Sequence, residues 1–155
     1  MSQVNEKLYI ICDNLRSRFN VGSIFRTADA LGVTKIYLGG ITPCPPHPEI
    51  SKVSLGATET VPWEHASQAW RIVEELKKRG VQIVVLEQTK KSIDYTKLKS
   101  RFPVALIVGN EVNGVSKNLL KRADKVVHIP MHGKKESLNV SVAFGVAGYG
   151  LRAHG

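Results

Sequence analysis

The sequence predicts an α/β fold, in which helices form two layers around a mostly parallel β-sheet. Continuous apolar runs of strand length, at Leu8–Cys12, Val81–Leu86 and Val104–Val108, are typical of parallel strands that are buried on both faces. Segments with helical spacing alternate with these runs, which is the order that builds a parallel sheet. With 155 residues the chain can bury a core of its own, so we predict a single domain over residues 1–155.

The first half of the chain alternates strands and helices in this way. A helix is expected over Asn20–Leu31, because apolar residues recur at helical spacing there and Gly32 follows at a position that ends helices. A second strand, Val33–Leu38, leads into a segment (41–48) whose four prolines exclude regular structure. A short helix is expected over Pro48–Leu55.

The second half contains the clearest amphipathic helix, Ser67–Arg79, whose last turn carries three cations that complement the helix dipole. After it we expect a polar loop with a short helix, then a helix, a strand and a closing helix, at Lys90–Arg101, Ser116–Ala123, Lys125–Pro130 and Glu136–Arg152. The closing helix contains glycines at 145, 148 and 150, each of which costs about 1 kcal/mol inside a helix. They indicate that another backbone packs close to this helix, as at a dimer interface or in an entangled chain.

Charge and hydropathy narrow the possible partners. The formal net charge is +9, from 22 Lys and Arg against 13 Asp and Glu, and this basic balance is typical of nucleic-acid-binding domains. No apolar run approaches the roughly 20 residues of a membrane-spanning helix, and the polar N-terminus lacks the apolar core of a signal peptide. We therefore expect a cytoplasmic protein with an anionic partner and no membrane contact.

Three segments leave the carboxyl ends of predicted strands, where parallel sheets bind their ligands. Glu111, in the second of these segments, is either an exposed turn carboxylate or a group at the ligand-facing edge. Ser137 and Asn139, in the third, suit the N-cap of the closing helix as well as an active site. The three segments follow Leu86, Val108 and Pro130.

Several other site types are not supported by the sequence. The spacing of Gly109 and Gly114 matches that of a phosphate-binding P-loop, but Val115 stands where that motif needs lysine. No Gly-x-Gly-x-x-Gly motif follows the first strand, so a dinucleotide-binding fold is not indicated. His128 and His132 flank a strand end without a third ligand, so we predict no metal.

Three arginines lie within eleven positions, at 16, 18 and 26, with Phe19 and Phe25 between them. Arg26 has mostly apolar neighbours in the sequence, so we expect its guanidinium to need an anionic or carbonyl partner. The simplest candidate is Asp29, which lies three residues further along the same helix.

Three ordered motifs give the chain a resemblance to a known family. They are Asn20-x-Gly-x-x-x-Arg26, then Gly109-Asn-Glu111, then Ile129-Pro-Met with Ser137-Leu-Asn139. In this order, and at strand ends, the sequence resembles the SpoU (TrmH-like) RNA ribose 2′-O-methyltransferases of the SPOUT superfamily, from Asn14 to about Leu151. The resemblance implies a deep trefoil knot in the C-terminal half, S-adenosylmethionine as cofactor, a homodimer with its active site near the interface, and an RNA substrate.

The resemblance also implies roles for particular residues. The implied catalytic residues are Arg26, Asn20, Glu111, Ser137 and Asn139. The implied cofactor contacts are Leu86, Gly109, Glu111, Ile129, Met131, Leu138 and Asn139. Contacts with the RNA backbone are expected from Arg16, Arg18, Arg26, Lys134 and Lys135.

The family assigns the motif arginine the role of base, helped by an RNA phosphate. Because arginine is not deprotonated in proteins, we expect Arg26 to hold the phosphate and to stabilise a developing alkoxide instead. Asn20 is expected to orient Arg26, and Ser137 and Asn139 to position the ribose and the pocket edge. Glu111 is expected to offset the positive charge of the sulfonium.

Transfer RNA is the expected substrate, because the sequence has no separate N-terminal RNA-binding domain of the kind that members acting on ribosomal RNA often carry. Methylation of ribosomal RNA is the alternative. A noncatalytic RNA-binding or assembly factor with the same fold would predict a broken motif, whereas all five motif residues are present in this sequence.

Overall fold

A computed structural model describes residues 6–153, and it confirms an α/β fold with a parallel sheet. Seven strands form one sheet in the order β3-β2-β1-β6-β4-β7-β5, and all neighbouring strands are parallel. The strands are β1 (Leu8–Asp13), β2 (Lys35–Gly39), β3 (Trp63–Ala66), β4 (Gln82–Leu86), β5 (Ile93–Asp94), β6 (Val104–Gly109) and β7 (Lys125–His128). The trefoil knot stays a prediction.

Six α-helices connect the strands. They are α1 (Arg18–Leu31), α2 (Pro48–Ser54), α3 (Ala57–Thr60), α4 (Ala69–Lys78), α5 (Lys117–Leu120) and α6 (Val140–Ala153), with a 3₁₀ turn at Tyr95–Lys97. Within residues 6–153, no helix is long and apolar enough to span a bilayer.

Two buried clusters fill the two faces of the sheet and define the helix layers. Successive residues of a strand point to opposite faces, so Ile10 belongs to one cluster and Ile11 to the other. The first cluster lies beneath α1 and α6 and includes Phe144. The second lies beneath α4 and α5 and includes Val73 and Leu119. The predicted three-layer arrangement is therefore confirmed.

The start of α1 is fixed by Ser17, whose hydroxyl accepts the backbone N–H of Asn20 at 3.1 Å. The helix therefore begins two residues earlier than predicted. It ends at Gly32, which adopts a left-handed φ of 67°, as expected of a C-terminal glycine. Gly22 lets α2 approach closely, because a Cβ at this position would lie 2.7 Å from the carbonyl oxygen of Ile50.

Some elements differ from those that the sequence predicts. The closing helix begins at Val140 and not at Glu136, because the preceding residues form an exposed loop beside a cavity. Helix α5 covers only four residues of the predicted eight. Strand β3 and helix α3 were not predicted; β3 is an edge strand with no buried residue, so it lacks the continuous apolar run that reveals the central strands.

The glycines of α6 have a different explanation from the one that the sequence suggests. A Cβ at Gly148 would lie 2.6 Å from Leu31, and one at Gly150 would lie 2.7 Å from Tyr95. Gly145 has more space, with its nearest neighbour at 3.5 Å. Within the described chain, two of the three glycines therefore accommodate side chains of the same chain and not a second backbone.

The end of α6 is attached to the beginning of the domain by Arg152. Its guanidinium donates to the carbonyl oxygens of Leu31 at 3.0 Å, of Gly32 at 3.0 Å and of Glu6 at 2.6 Å. These carbonyls lie where the chain enters β1 and where it leaves α1 for β2. The first and last described residues are thus held together at the amino-terminal edge of the sheet.

Candidate active site

The opposite edge of the sheet carries a cavity of about 500 Å³. Its walls are formed by the segments that follow β4, β6 and β7, by the loop before α6, and by Asn20 near the start of α1. The carboxyl ends of neighbouring parallel strands meet at one edge, which is why segments distant in sequence share this cavity. The three segments singled out in the sequence all contribute to its wall.

All seven residues that the resemblance implies as cofactor contacts line the cavity: Leu86, Gly109, Glu111, Ile129, Met131, Leu138 and Asn139. Gly109 has a clear steric reason to be glycine, since a Cβ there would lie 2.3 Å from the backbone nitrogen of Val115. Any larger residue would push the loop after β6 away from the end of its own strand. Direct contact of these residues with a cofactor stays a prediction.

Glu111 connects the loop after β6 to the start of α1. Its carboxylate accepts the backbone N–H of Arg16 at 2.9 Å, the backbone N–H of Ser17 at 2.9 Å and the side-chain N–H of Asn20 at 3.0 Å. A helix N-terminus attracts a carboxylate, because its first backbone N–H groups have no partner within the helix. The exposed-turn alternative for Glu111 is therefore incomplete, because its carboxylate has a defined set of donors.

The environment of Glu111 lowers the pKa of its carboxyl group. Partial burial raises this pKa, but the hydrogen bonds from Asn20, Arg16 and Ser17 favour the ionised form and together outweigh burial. Glu111 is therefore a carboxylate at neutral pH. Four N–H···O contacts already occupy the oxygens of Glu111. Its negative charge therefore acts mainly to hold the cavity wall in place.

Asn20 and Asn139 extend this hydrogen-bonded chain along the cavity wall. The side-chain amide of Asn139 donates to the side-chain oxygen of Asn20 at 3.2 Å. The oxygen of Asn139 also accepts the backbone N–H of Ser141 at 2.9 Å, which is the bond of a helix N-cap. Both interpretations of Asn139 thus hold together: it caps α6 and it lines the cavity.

Ser137 lies in the exposed loop before α6 and lines the same cavity. Its position two residues before Asn139 rules out the N-cap alternative, because Asn139 occupies that place. Lys134 and Lys135 lie exposed in the same loop. The structure therefore brings the Ser137 hydroxyl to the cavity wall, while the two lysines lie in the same loop outside the wall.

Arg26 is placed differently from the other catalytic candidates. It is exposed on α1 and does not line the cavity, so the expectation of an apolar setting that requires a partner is wrong. Asp29 accepts a hydrogen bond from the Thr60 hydroxyl at 3.1 Å, and no ion pair joins it to Arg26 among the described residues. Asn20 bonds to Glu111 and Asn139 and not to Arg26, so the expected orienting bond is absent from residues 6–153.

The other RNA candidates lie near the start of α1. Arg16 and Arg18 are both exposed. The guanidinium of Arg18 approaches Glu49 at 3.8 Å, with about half of each side chain in solvent. A pair so open to water is weak, so Arg18 remains free to change partner.

Glu87 is a residue of the cavity wall that the sequence prediction missed. It directly follows β4, and its carboxylate accepts the backbone N–H of Val115 at 2.7 Å. A Cβ at Gly114 would lie 2.2 Å from the same carboxylate, so only glycine fits there. In the sequence only its position indicates Glu87: it is the first residue after Leu86, at an edge of the sheet where ligands bind.

The fold and the cavity define the class of protein: an α/β protein of parallel strands with a polar ligand cavity at their carboxyl ends. The sequence comparison identifies the family. The pattern of the SpoU rRNA methylase family matches residues 7–149, and the chain belongs to this family.

Individual relatives agree in fold and differ in the RNA named for them. A tRNA (guanosine(18)-2′-O)-methyltransferase of Aquifex aeolicus is 35% identical over 92% of this chain and 67% of its own length. A 23S rRNA (guanosine-2′-O-)-methyltransferase of Neisseria meningitidis is 34% identical over 90% of this chain and 55% of its own. The AdoMet-bound crystal structure of an rRNA methyltransferase from Sinorhizobium meliloti superposes with a TM-score of 0.91 and 30% identity, over 99% of this chain and 59% of that one.

The chain spans between 53% and 67% of the length of the first four relatives.

Proposed function

We propose that this protein transfers a methyl group from S-adenosylmethionine to a ribose 2′-hydroxyl of RNA. The observation that carries the proposal is the hydrogen-bonded chain from Glu111 through Asn20 to Asn139, which lines a cavity at the carboxyl edge of the sheet. Residues far apart in sequence, and drawn from all three motifs, meet there. The names of the relatives support this reaction.

The cavity fits S-adenosylmethionine in size and in charge. Its volume of about 500 Å³ lies within the range of roughly 300–1,000 Å³ that is typical of small-molecule sites. Among the described residues, its wall contains three carboxylates and no Lys or Arg, which suits a cofactor that carries a positive sulfonium. The carboxylates are those of Glu87, Glu111 and Glu136.

We propose a homodimer that uses the exposed face of α1 and α6. Large apolar side chains are open to solvent there: Phe19 is 60% exposed, and Val142 and Tyr149 are each 52% exposed. Arg26 lies seven residues after Phe19, on the same side of α1. A partner packed on this face would cover the apolar side chains and bring Arg26 towards the partner's cavity.

In this mechanism the residues of the chain position the acceptor and stabilise its charge. The bound cofactor would supply an electrophilic methyl group and leave as the neutral thioether, and the 2′-hydroxyl proton would pass to solvent. Glu111, Asn20 and Asn139 hold the cavity wall rigid, while Ser137 offers a hydroxyl to the ribose at the mouth. Arg26 binds the neighbouring RNA phosphate with its guanidinium and stabilises the negative charge that develops on the 2′-oxygen.

For the substrate we propose transfer RNA in the cytoplasm. The support is the tRNA-modifying relative, because the chain covers a larger part of that relative than of the 23S rRNA enzyme. The test incubates the protein with methyl-labelled S-adenosylmethionine and, separately, with bulk tRNA and bulk rRNA. We expect label in tRNA, in dinucleotides that resist alkali, because a methylated 2′-oxygen cannot attack its own phosphodiester bond.

The other outcomes of this test are also informative. Label only in rRNA contradicts the substrate, and label released in alkali-sensitive nucleotides contradicts the ribose as acceptor. Cofactor binding in a calorimeter without transfer to any RNA contradicts the enzyme and favours a noncatalytic RNA-binding factor.

A further inference from the structure

The positive charge of the chain is concentrated on the side of the sheet away from α1 and α6. Residues 69–79 and 117–124 carry seven cations and three acidic groups, so these 19 residues supply +4 of the net charge of +9. Helices α4 and α5 lie in these two segments, and both pack onto the second buried cluster. We call the solvent side of these two segments the basic face.

Most cations of the basic face have no acidic partner among the described residues. Arg122 pairs with Glu74 at 2.7 Å and Lys77 approaches Asp124 at 3.8 Å. The other five cations are exposed and form no ion pair within residues 6–153: Arg71, Lys78, Arg79, Lys117 and Lys121.

Two of these unpaired cations are held in place by aromatic rings. The guanidinium of Arg71 lies 5.4 Å from the ring centre of Trp70, and that of Arg79 lies 5.7 Å from that of Tyr9. A guanidinium fixed in this way loses less freedom when it binds an anion than one on a free side chain does. The basic face is thus partly ordered before any partner arrives.

The basic face begins at the rim of the cavity. Lys117 is the first residue of α5 and lies two positions after Val115, whose N–H is bonded to Glu87 in the cavity wall. Arg79 follows the last turn of α4 and precedes β4, so it lies at the opposite edge of the sheet. A strand of six residues such as β6 is about 20 Å long, so the basic face extends roughly that far from the cavity.

We propose that the basic face binds the sugar-phosphate backbone of the RNA whose nucleotide enters the cavity. This inference rests on the proposed function and adds a docking surface to it. Consecutive phosphates of one strand in a duplex advance by roughly 3 Å, so a face of ~20 Å spans about six of them. The surface therefore binds a base-paired arm next to the modified nucleotide, without reading its sequence.

The experiment compares two double variants with the same change in charge. Lys117→Glu with Lys121→Glu alters the basic face next to the cavity. Lys97→Glu with Lys99→Glu alters exposed cations elsewhere on the chain, after β5, and serves as the control. Binding of fluorescently labelled bulk tRNA is measured by anisotropy over a series of salt concentrations, and cofactor binding is measured by calorimetry.

For the basic-face variant we expect binding to tRNA about tenfold weaker or more, and a slope of log K against log salt reduced by about two, since two phosphate contacts are lost. The control should stay within about twofold of wild type, and both variants should bind S-adenosylmethionine as wild type does. Lys117→Gln with Lys121→Gln should give an intermediate loss. Circular dichroism confirms that each variant is folded.

Equal weakening by both double variants, or an unchanged salt slope in the basic-face variant, overturns the proposal. These readouts are independent of methyl transfer. A wild-type protein that binds no S-adenosylmethionine would contradict the proposed function while leaving the RNA-binding result interpretable. If the wild-type protein transfers methyl groups but substitution of Lys117 and Lys121 leaves the affinity for tRNA unchanged, the docking surface alone is contradicted.

Discussion

Helices cover both faces of the sheet, but the helices of the two faces expose different residues to solvent. On the α4 and α5 side, charged residues cover the solvent face and apolar residues face the second cluster. On the α1 and α6 side, apolar side chains such as Val142 and Tyr149 remain open to solvent, and α6 carries three glycines. The first side is a charged surface, whereas the second exposes apolar side chains and is the face that we propose for the dimer.

The two sides of the sheet are therefore suited to different kinds of binding partner. The apolar side is suited to bind another protein surface, and the polar edge between the layers forms the cavity. The charged side is suited to bind an anion in water. Substitutions on the two sides should therefore affect different measurements.

The largest expected effect comes from Arg26→Ala. We expect kcat for RNA methylation to fall at least ~100-fold, because a donor that stabilises charge in the transition state is lost. Folding and cofactor binding should be unchanged, since Arg26 is exposed and lies outside the cavity wall. Single-turnover kinetics and calorimetry measure the two quantities separately. Turnover near that of wild type would refute the assigned role of Arg26.

The second prediction concerns the cavity edge itself. Gly109→Ala places a Cβ against backbone atoms of Gly114 and Val115, which cannot rotate away. We expect the free energy of unfolding to fall by about 2 kcal/mol, as overpacking of a tight site does, and cofactor binding to weaken. Gly145→Ala is the matched control, because its Cβ finds ordinary contact at 3.5 Å. Denaturant titration of both variants makes the comparison.

The third prediction tests the apolar side. Val142→Asp with Tyr149→Asp places two carboxylates on the exposed face of α6, where a partner would bury them. We expect the dissociation constant of the proposed dimer to rise at least about tenfold above that of wild type, as measured by analytical ultracentrifugation. Lys78→Asp, on the exposed side of α4, should leave the association unchanged. Equal dissociation in both cases would show that charge alone governs it.

The smallest expected effect is a pH dependence at Glu111. The folded state lowers the pKa of this carboxyl group below its ordinary value of 4.5, so its ionised form stabilises the fold at neutral pH. This contribution is lost as the pH falls through the folded-state pKa. The stability gap between wild type and Glu111→Gln should therefore be widest near neutral pH and narrow below about pH 4.5. Thermal unfolding at several pH values measures the gap, with Glu75→Gln as a control for net charge.

The sequence predicts the central strands and α4 well, because their signals are local. Continuous apolar runs locate β1, β4 and β6 to within a residue, and strong amphipathic spacing locates α4 to within two residues. The start of α6 is harder, since Ser137 and Asn139 are both suitable N-caps and only the folded loop selects Asn139. Strand β3 lies at an edge and lacks a buried face, so it gives no such signal.

The sequence predicts which residues line the candidate site, but it does not predict the hydrogen bonds between them. Motif order and strand ends bring the seven cavity residues together, as the structure shows. The partners of Glu111 were not predictable, because Arg16 and Ser17 lie more than 90 residues earlier in the chain. The exposure of Arg26 was misjudged for a related reason: its sequence neighbours are apolar, but its own direction on α1 leads to solvent.

Arg152 has a practical consequence. By joining the start of the described chain to its end, it places both at the edge of the sheet that lies away from the cavity. A dye or an affinity handle attached to the exposed residues Lys7 or Ala153 would lie about 20 Å, the length of a six-residue strand, from the mouth where RNA would enter. Immobilised by such a handle, the protein would present its open cavity to the solution, which suits it to single-molecule measurements of RNA capture.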